Sequence, residues 1–126
     1  ERDAPGLSTQ PGVIHHGHGS GYSLVGMAHK AGAARILLLG YDLRYAPDYD
    51  GRGREIGTSP RHFFGEYPAS MQHWPSVQVR QGVHVGLVEL YRSVVEQGLV
   101  ELVNCSASSA LVGVVPTMDV RDAVAA

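Results

Sequence analysis

The feature that most constrains the fold is a short apolar run, Ile36-Leu37-Leu38-Leu39, which ends at Gly40. The run is too short for a buried helix, and it is continuously apolar, without the alternation of polar and apolar residues that a half-buried strand shows. It therefore predicts a strand that is buried on both faces, as strands of a parallel sheet are. A helical pattern precedes the run from Ser20 to about Ala31, with Ser20 as the predicted N-cap and Gly32 as the predicted end.

A second helix and a second strand follow later in the chain. Apolar residues recur at helical spacing from Val79 to Glu96, and Gly98 is expected to end this helix. Residues 99–103 predict the second strand, and residues 118–125, capped by Thr117, predict a short helix. Strands that alternate with helices indicate an α/β layered domain with a mostly parallel sheet.

The number of strands is small for such a domain. Two strands are clear and a third is possible near Val13, which is too few to cover two helices. We therefore expect an incomplete, C-terminal portion of a domain, completed either by N-terminal strands of a longer protein or by a homo-oligomer. Residues 1–12 are rich in Gly, Pro, Ser and Thr, and we expect a linker or an ordered loop there.

Composition excludes several classes of protein. A chain of 126 residues, 44% of them hydrophobic and 17% charged, is globular in composition and long enough for one domain, residues 1–126. The net charge of −2 argues against a dedicated nucleic-acid binder, and no apolar run is long enough to span a membrane. Cys105 is the single cysteine, which excludes an intrachain disulfide and, without a visible secretory signal, predicts a cytoplasmic location.

A long irregular stretch separates the first strand from the second helix. It runs from about residue 44 to residue 77 and contains six aromatic residues, Tyr45, Tyr49, Phe63, Phe64, Tyr67 and Trp74. Loops of this length in small domains are usually functional, and the aromatic residues favour a lid over a ligand. A disordered insertion is the alternative interpretation.

The turn before the first helix, Gly17-His18-Gly19-Ser20-Gly21-Tyr22, is rich in glycine. Glycines at such a position allow backbone N–H groups to approach an anion, which the helix dipole also favours. The spacing differs from the dinucleotide-binding and P-loop fingerprints. The residues that we assign to a nucleotide site are Gly19, Ser20, Gly21 and Tyr22, and an ordinary tight turn with a serine cap is the alternative.

Polar residues follow both predicted strands, where ligands bind in parallel sheets. Asp42 follows the first strand and can hold a ribose hydroxyl, a metal ion or a loop backbone. Ser108 and Ser109 follow the second strand and can donate hydrogen bonds to phosphate or sugar oxygens. The seven histidines and the single cysteine show none of the spacings of known metal motifs, so we assign no metal site.

Four segments together resemble a known group of proteins: Ser20-Gly21-Tyr22, Ala31-Gly32-Ala33-Ala34-Arg35-Ile36-Leu37-Leu38-Leu39-Gly40-Tyr41-Asp42, His62-Phe63-Phe64-Gly65 and Ser109-Ala110-Leu111. They resemble small Rossmann-like proteins encoded by phages and prophages, a group similar to the archaeal 6-hydroxymethylpterin diphosphokinase-like domain. The chain is more distantly similar to bacterial sialyltransferases that use CMP-sialic acid. The resemblance covers about residues 13 to 116.

The resemblance implies a Rossmann-like fold and a nucleotide site at the Ser20-Gly21 turn. It also implies a histidine as general base, for which His73 is the nearest match and His62 the competitor. Asp42 completes the set of candidate catalytic residues.

Three functions remain open after this comparison. The first is transfer of a sugar from a nucleotide-sugar donor, as in a glycosyltransferase. The second is diphosphokinase-like phosphoryl transfer from ATP, in which magnesium would be held by Asp42, Asp48 and Asp50. The third is a phage-derived binding domain without catalysis. No cofactor is assigned apart from this possible magnesium ion.

Overall fold

The computed structural model describes residues 4–17, 19–43, 48–49, 52, 55–57 and 77–126, with side chains of the long helix from residue 85 onward. The chain divides into two compact units. The main unit contains Glu1–Leu43 and Val85–Ala126, and the inserted unit contains Arg44–His84. A single domain over residues 1–126 stays a prediction.

In the described part of the chain, three helices and four strands follow one another in the order α1 (Ser20–Lys30), β1 (Arg35–Leu38), β2 (Asp48–Tyr49), β3 (Glu55–Gly57), α2 (Val77–Gln97), β4 (Glu101–Asn104) and α3 (Val120–Ala125). In the main unit β1 pairs with β4 in parallel, from Arg35 opposite Glu101 to Leu38 opposite Asn104. The predicted mixture of helices with a parallel sheet is confirmed as a small two-stranded sheet.

Helix α1 ends at the glycine that the sequence predicts. Gly32 has φ +96°, in the left-handed region that glycine adopts without strain. Its N–H donates to the carbonyl of His29 over 2.9 Å, and the N–H of Ala33 donates to the carbonyl of Ala28 over 3.0 Å. These two bonds form a Schellman motif, which satisfies carbonyl groups at the helix end. Gly98 ends α2 in a similar way, with φ +68°.

Strand β1 is less buried than its sequence predicts. Leu38 is fully buried, whereas Ile36 and Leu37 are only half-buried and Leu39, just after the strand, is 57% exposed. The prediction of a strand buried on both faces is therefore wrong for most of its length. Among the described residues β4 is the one strand paired with β1, so the surrounding sheet that would bury the other positions is not present there.

The N-terminal segment is an ordered loop and not a loose linker. Leu7 is buried in the core, and the side chain of Gln97 holds its backbone on both sides. The N–H of Leu7 donates to Gln97 Oε1 over 2.6 Å, and Gln97 Nε2 donates to the Leu7 carbonyl over 2.9 Å. The prediction of a possible third strand near Val13 is wrong, because residues 4–17 contain no strand in the structure.

Helix α3 begins later than predicted and has a different cap. Asp119 is the N-cap and accepts a hydrogen bond from the N–H of Arg121 over 2.8 Å. Thr117 is not the cap, because its hydroxyl accepts a hydrogen bond from Asn104 Nδ2 and donates to the carbonyl of Val115. Thr117 therefore stabilises the end of β4, where Asn104 is fully buried.

The inserted unit contains a short antiparallel pair, β2 with β3, whose register shifts between Asp48 and Tyr49. The expectation of an irregular chain from residue 44 to residue 77 is therefore wrong at these two strands. Most of the predicted lid lies outside the described residues, and its role as a lid stays a prediction. In the described part of the chain, no helix has the length and hydropathy that crossing a bilayer requires.

Candidate functional site

A cleft of about 290 Å³ opens in the main unit where α1 begins and β1 ends. Its lining residues are Gly19, Gly21, Tyr22, Gly40, Tyr41, Asp42, Leu43, Leu87 and Tyr91. They come from the start of α1, the loop after β1 and one side of α2. The carboxyl end of a parallel strand is the usual position of a ligand site in α/β proteins.

Backbone N–H groups lie at the start of α1, beside the cleft. Gly19, and not Ser20, is the N-cap, with φ −156° and ψ 141°, so the predicted serine cap is wrong. Ser20 is the first helical residue and is exposed. Among the described residues, no group accepts a hydrogen bond from the N–H of Ser20 or of Gly21. These amides carry the partial positive charge of the helix N-terminus, and no acidic side chain in the first turn neutralises it.

Three tyrosines form the wall of the cleft. The rings of Tyr22 and Tyr91 meet edge to face with centroids 5.4 Å apart, and those of Tyr41 and Tyr91 with centroids 6.0 Å apart. Tyr22 donates to the carbonyl of Gly6 over 2.8 Å, and Tyr41 donates to the carbonyl of Gly21 over 3.1 Å. These contacts fix the three rings relative to α1, so the wall is preorganised.

Gly21 keeps the cleft open. A Cβ atom at this position would lie 2.9 Å from Cε1 of Tyr41 and 3.4 Å from the hydroxyl oxygen of Tyr91. The first distance is shorter than a normal carbon–carbon contact, so any side chain here would displace the Tyr41 ring. The close approach of α1 to Tyr41 therefore depends on glycine.

The loop after β4, residues 105–111, is hydrogen-bonded to the end of β1 and to the loop that follows it. The N–H of Cys105 donates to the carbonyl of Leu38, and the N–H of Gly40 donates to the hydroxyl of Ser106 over 3.1 Å. The N–H of Ala110 donates to the carbonyl of Asp42 over 2.9 Å. These bonds tie the two loops together at the carboxyl end of the sheet.

The two predicted serines occupy different environments. Ser109 is fully buried, and its hydroxyl donates to the carbonyl of Tyr41 and accepts from the N–H of Leu111. Ser109 therefore positions Tyr41 in the cleft wall. Ser108 is exposed and is not among the residues that line the cleft. A contact between either serine and a ligand stays a prediction.

The remaining predicted site residues divide into two groups. Asp42 is exposed and lines the cleft, as Gly19, Gly21 and Tyr22 do. His62 and His73 lie outside the described residues. In the described part of the chain, no three His, Cys, Asp or Glu side chains come together as a metal site would require.

Sequence reasoning missed part of the cleft wall. Tyr91 and Leu87 belong to the apolar helical pattern from Val79 to Glu96, which predicts a helix but does not show that these two residues line a cleft. Tyr41 and Gly40 belong to a motif that sequence analysis quoted, but neither was assigned to the site. The one sequence feature that pointed to Tyr41 and Gly40 was their position just after a predicted strand, since ligands bind at the carboxyl ends of parallel strands.

Burial makes the tyrosines of the wall weaker acids. It raises the pKa of Tyr91, which the neighbouring phenols of Tyr41 and Tyr22 raise further. Burial also raises the pKa of Tyr41 and of Tyr22. All three phenols are therefore neutral hydrogen-bond donors at physiological pH.

These shifts predict a loss of stability at alkaline pH. The unfolded chain releases the Tyr91 proton at the ordinary pKa of about 10, and the folded chain releases it only at higher pH. Stability is thus complete below about pH 10 and falls above it, by about 1.4 kcal/mol per pH unit for one buried tyrosine. Urea unfolding between about pH 8 and about pH 11 measures this slope. Tyr91→Phe should flatten it, and an equal slope in both proteins would contradict the prediction.

The chain matches no protein-family model, no curated protein and no solved structure.

Proposed function

We propose that the main unit is part of a Rossmann-like domain whose cleft binds a nucleotide or a nucleotide-sugar. The observation that carries this proposal is that the amides of Ser20 and Gly21, at the start of α1, donate to no acceptor among the described residues. Their helix begins beside the carboxyl end of the parallel strand β1, because Tyr41, just after β1, donates a hydrogen bond to Gly21. Phosphate groups bind at this place in α/β folds.

Each part of the cleft suits one part of such a ligand. The amides at the start of α1 can donate to phosphate oxygens, and the Asp42 carboxylate can accept hydrogen bonds from sugar hydroxyls. The tyrosine wall supplies an apolar surface for a ring. A volume of about 290 Å³ is at the small end for ligand sites, so this cleft takes one ring with its phosphate and not a whole dinucleotide.

The reaction that we propose is glycosyl transfer. A hydroxyl oxygen of the acceptor forms a bond to the anomeric carbon of the donor sugar. The bond from that carbon to the phosphate oxygen breaks, and the nucleotide leaves with the electron pair. His73 or His62 takes the acceptor proton as general base, and the α1 amides stabilise the phosphate of the leaving nucleotide. The resemblance to nucleotide-sugar transferases supports this assignment.

The parallel sheet suggests further strands beside β1. In the described residues β1 pairs on one edge only, and Leu39 beyond its end is largely exposed. A strand with one free edge and partly covered apolar residues favours additional pairing. We propose that other strands of the protein, or a second copy, complete the sheet.

Isothermal titration calorimetry tests the proposed function. CMP or CDP should bind without metal, since the described residues of the cleft supply amides and a single carboxylate. Binding of ATP only in the presence of magnesium would instead support the phosphoryl-transfer alternative. Binding of CMP or CDP without transfer to any of a panel of hydroxyl acceptors would support the non-catalytic alternative. Absence of binding by CMP, CDP and ATP would overturn the nucleotide site.

A pair of glycine variants locates the binding site. Gly21→Ala places a methyl group against Tyr41 and should weaken nucleotide binding by about tenfold or more, since it fills the cleft. Gly86→Ala makes the same change in a helix, but its Cβ meets nothing within 4 Å. It should leave the affinity unchanged. Equal affinities of the two variants would place the nucleotide elsewhere, and circular dichroism checks that both remain folded.

A further inference from the structure

The N-terminal segment is bonded to the end of α2 through its backbone. Residues 6–8, which we call the N-terminal strap, are all buried, and Leu7 belongs to the hydrophobic core cluster. The side chain of Gln97, the last residue of α2, accepts from the N–H of Leu7 and donates to its carbonyl. Gly6 allows this close approach, because a Cβ atom there would lie 2.9 Å from Gln97 Oε1. One side chain of α2 therefore fixes the strap by two hydrogen bonds.

The same strap is bonded to α1 through the carbonyl of Gly6. That oxygen accepts a hydrogen bond from the Tyr22 hydroxyl and another from Nδ1 of His15, each over 2.8 Å. The Tyr22 residue is 1% exposed, and a buried hydroxyl requires an acceptor, which this carbonyl supplies. The position of the Tyr22 side chain therefore depends on the position of the strap.

The strap joins the two helices that flank the cleft. Tyr22 lines the cleft from α1, and Leu87 and Tyr91 line it from α2. Tyr22 meets Tyr91 edge to face, with ring centroids 5.4 Å apart, which connects the two helices directly. The strap adds a second connection, which runs from Gln97 through Gly6 to Tyr22. It therefore restrains the separation of α1 and α2 and, with it, the width of the cleft.

We propose that Gln97 is a positioning residue for the cleft, although it is not one of the residues that line it. Gln97 holds the strap, the strap holds Tyr22, and Tyr22 forms part of the wall against which a ligand binds. Docking of the strap and binding in the cleft therefore stabilise each other, because coupling between two sites is reciprocal. The effect on ligand affinity rests on the proposed function, whereas the coupling of Gln97 to Tyr22 does not.

A double-mutant cycle measures this coupling without a ligand. Gln97→Met removes both hydrogen bonds to Leu7 and keeps the length of the side chain. Tyr22→Phe removes the bond to Gly6 and keeps the ring. Each variant should lower the free energy of unfolding in urea. The double variant should lose less than the sum of the two losses, because release of the strap already separates Gly6 from Tyr22. Losses that simply add would overturn the inference.

Asp119→Ala is the matched control for this cycle. It removes the hydrogen bond that caps α3 and costs stability, but Asp119 lies neither in the strap nor in the lining of the cleft. Its loss should add to that of Gln97→Met, since changes at sites without shared partners are additive. A departure from additivity as large as that of the Gln97 and Tyr22 pair would show that the cycle does not report the strap, which would also overturn the inference.

Isothermal titration calorimetry with CMP tests the effect on the cleft. Gln97→Met should weaken CMP binding by about fivefold or more, and Asp119→Ala should leave it unchanged although both variants lose stability. If Gln97→Met binds CMP as tightly as the parent does, the strap supports the fold but not the cleft, and the positioning role is wrong. If the parent itself binds no CMP, the proposed nucleotide site is wrong, and the double-mutant cycle decides the inference on its own.

Discussion

The Gly17→Ala variant is expected to lose about 3 kcal/mol of folding free energy, or more. Gly17 has φ +57° and is buried. A Cβ atom there would overlap the ring of Tyr22, lying 2.6 Å from its Cγ and 2.9 Å from its Cε1. That ring cannot move aside freely, because its hydroxyl is bonded to Gly6 and its edge packs against Tyr91.

Gly12→Ala is the matched control for this prediction. Gly12 also has a left-handed conformation, with φ +69°, but it is exposed and a Cβ there meets nothing within 4 Å. Its replacement should cost only the backbone term of about 1 kcal/mol. Urea unfolding of both variants separates the two contributions. Equal losses would mean that Tyr22 has room to move and that the turn before α1 is not tightly packed.

The parts of the fold that depend on residues close together in the sequence could be predicted from the sequence. Gly32 and Gly98 end their helices as expected, because a left-handed residue after the last turn is a local property of glycine. The parallel pairing of β1 with β4 follows from the helix that connects them, since parallel strands require such a crossover.

The helix starts were harder to predict, since several residues in each turn can act as caps. The caps are Gly19 and Asp119 where the sequence suggested Ser20 and Thr117. At α3 the reason is visible in the structure, because Thr117 bonds to the buried Asn104, which is distant in the sequence. Tertiary contacts of this kind override local capping preferences.

The site was predicted only in part for the same reason. The turn at Gly19 and Gly21 and the carboxylate of Asp42 are evident from local motifs, and all three line the cleft. The contribution of Tyr91 to the cleft wall depends on the packing of α2 against α1, which the sequence pattern of α2 alone does not show. Likewise, the hold of Gln97 on Leu7 joins residues 90 positions apart, which periodicity cannot show.

Gly19→Asp is expected to change stability and ligand binding in opposite directions. Gly19 already has the extended backbone of an N-cap residue, and a Cβ there would make only an ordinary contact with Leu87 at 3.9 Å. An aspartate would therefore fit, and its carboxylate would accept from the first-turn amides, which have no acceptor among the described residues. The cap and its charge at the positive end of the helix should raise stability by about 0.5–1 kcal/mol.

The same substitution should weaken nucleotide binding by about a hundredfold, because the phosphate loses two amide donors and meets a negative charge in their place. Gly19→Asn separates these two causes, since its amide oxygen occupies the same donors without the charge and should weaken binding less than aspartate does. Calorimetry with CMP, paired with urea unfolding of each variant, measures both effects. A variant that is stabilised and still binds CMP as tightly as the parent would show that the start of α1 does not hold the phosphate. Lower stability in both variants would show instead that these amides are already satisfied, which would remove the observation on which the nucleotide site depends.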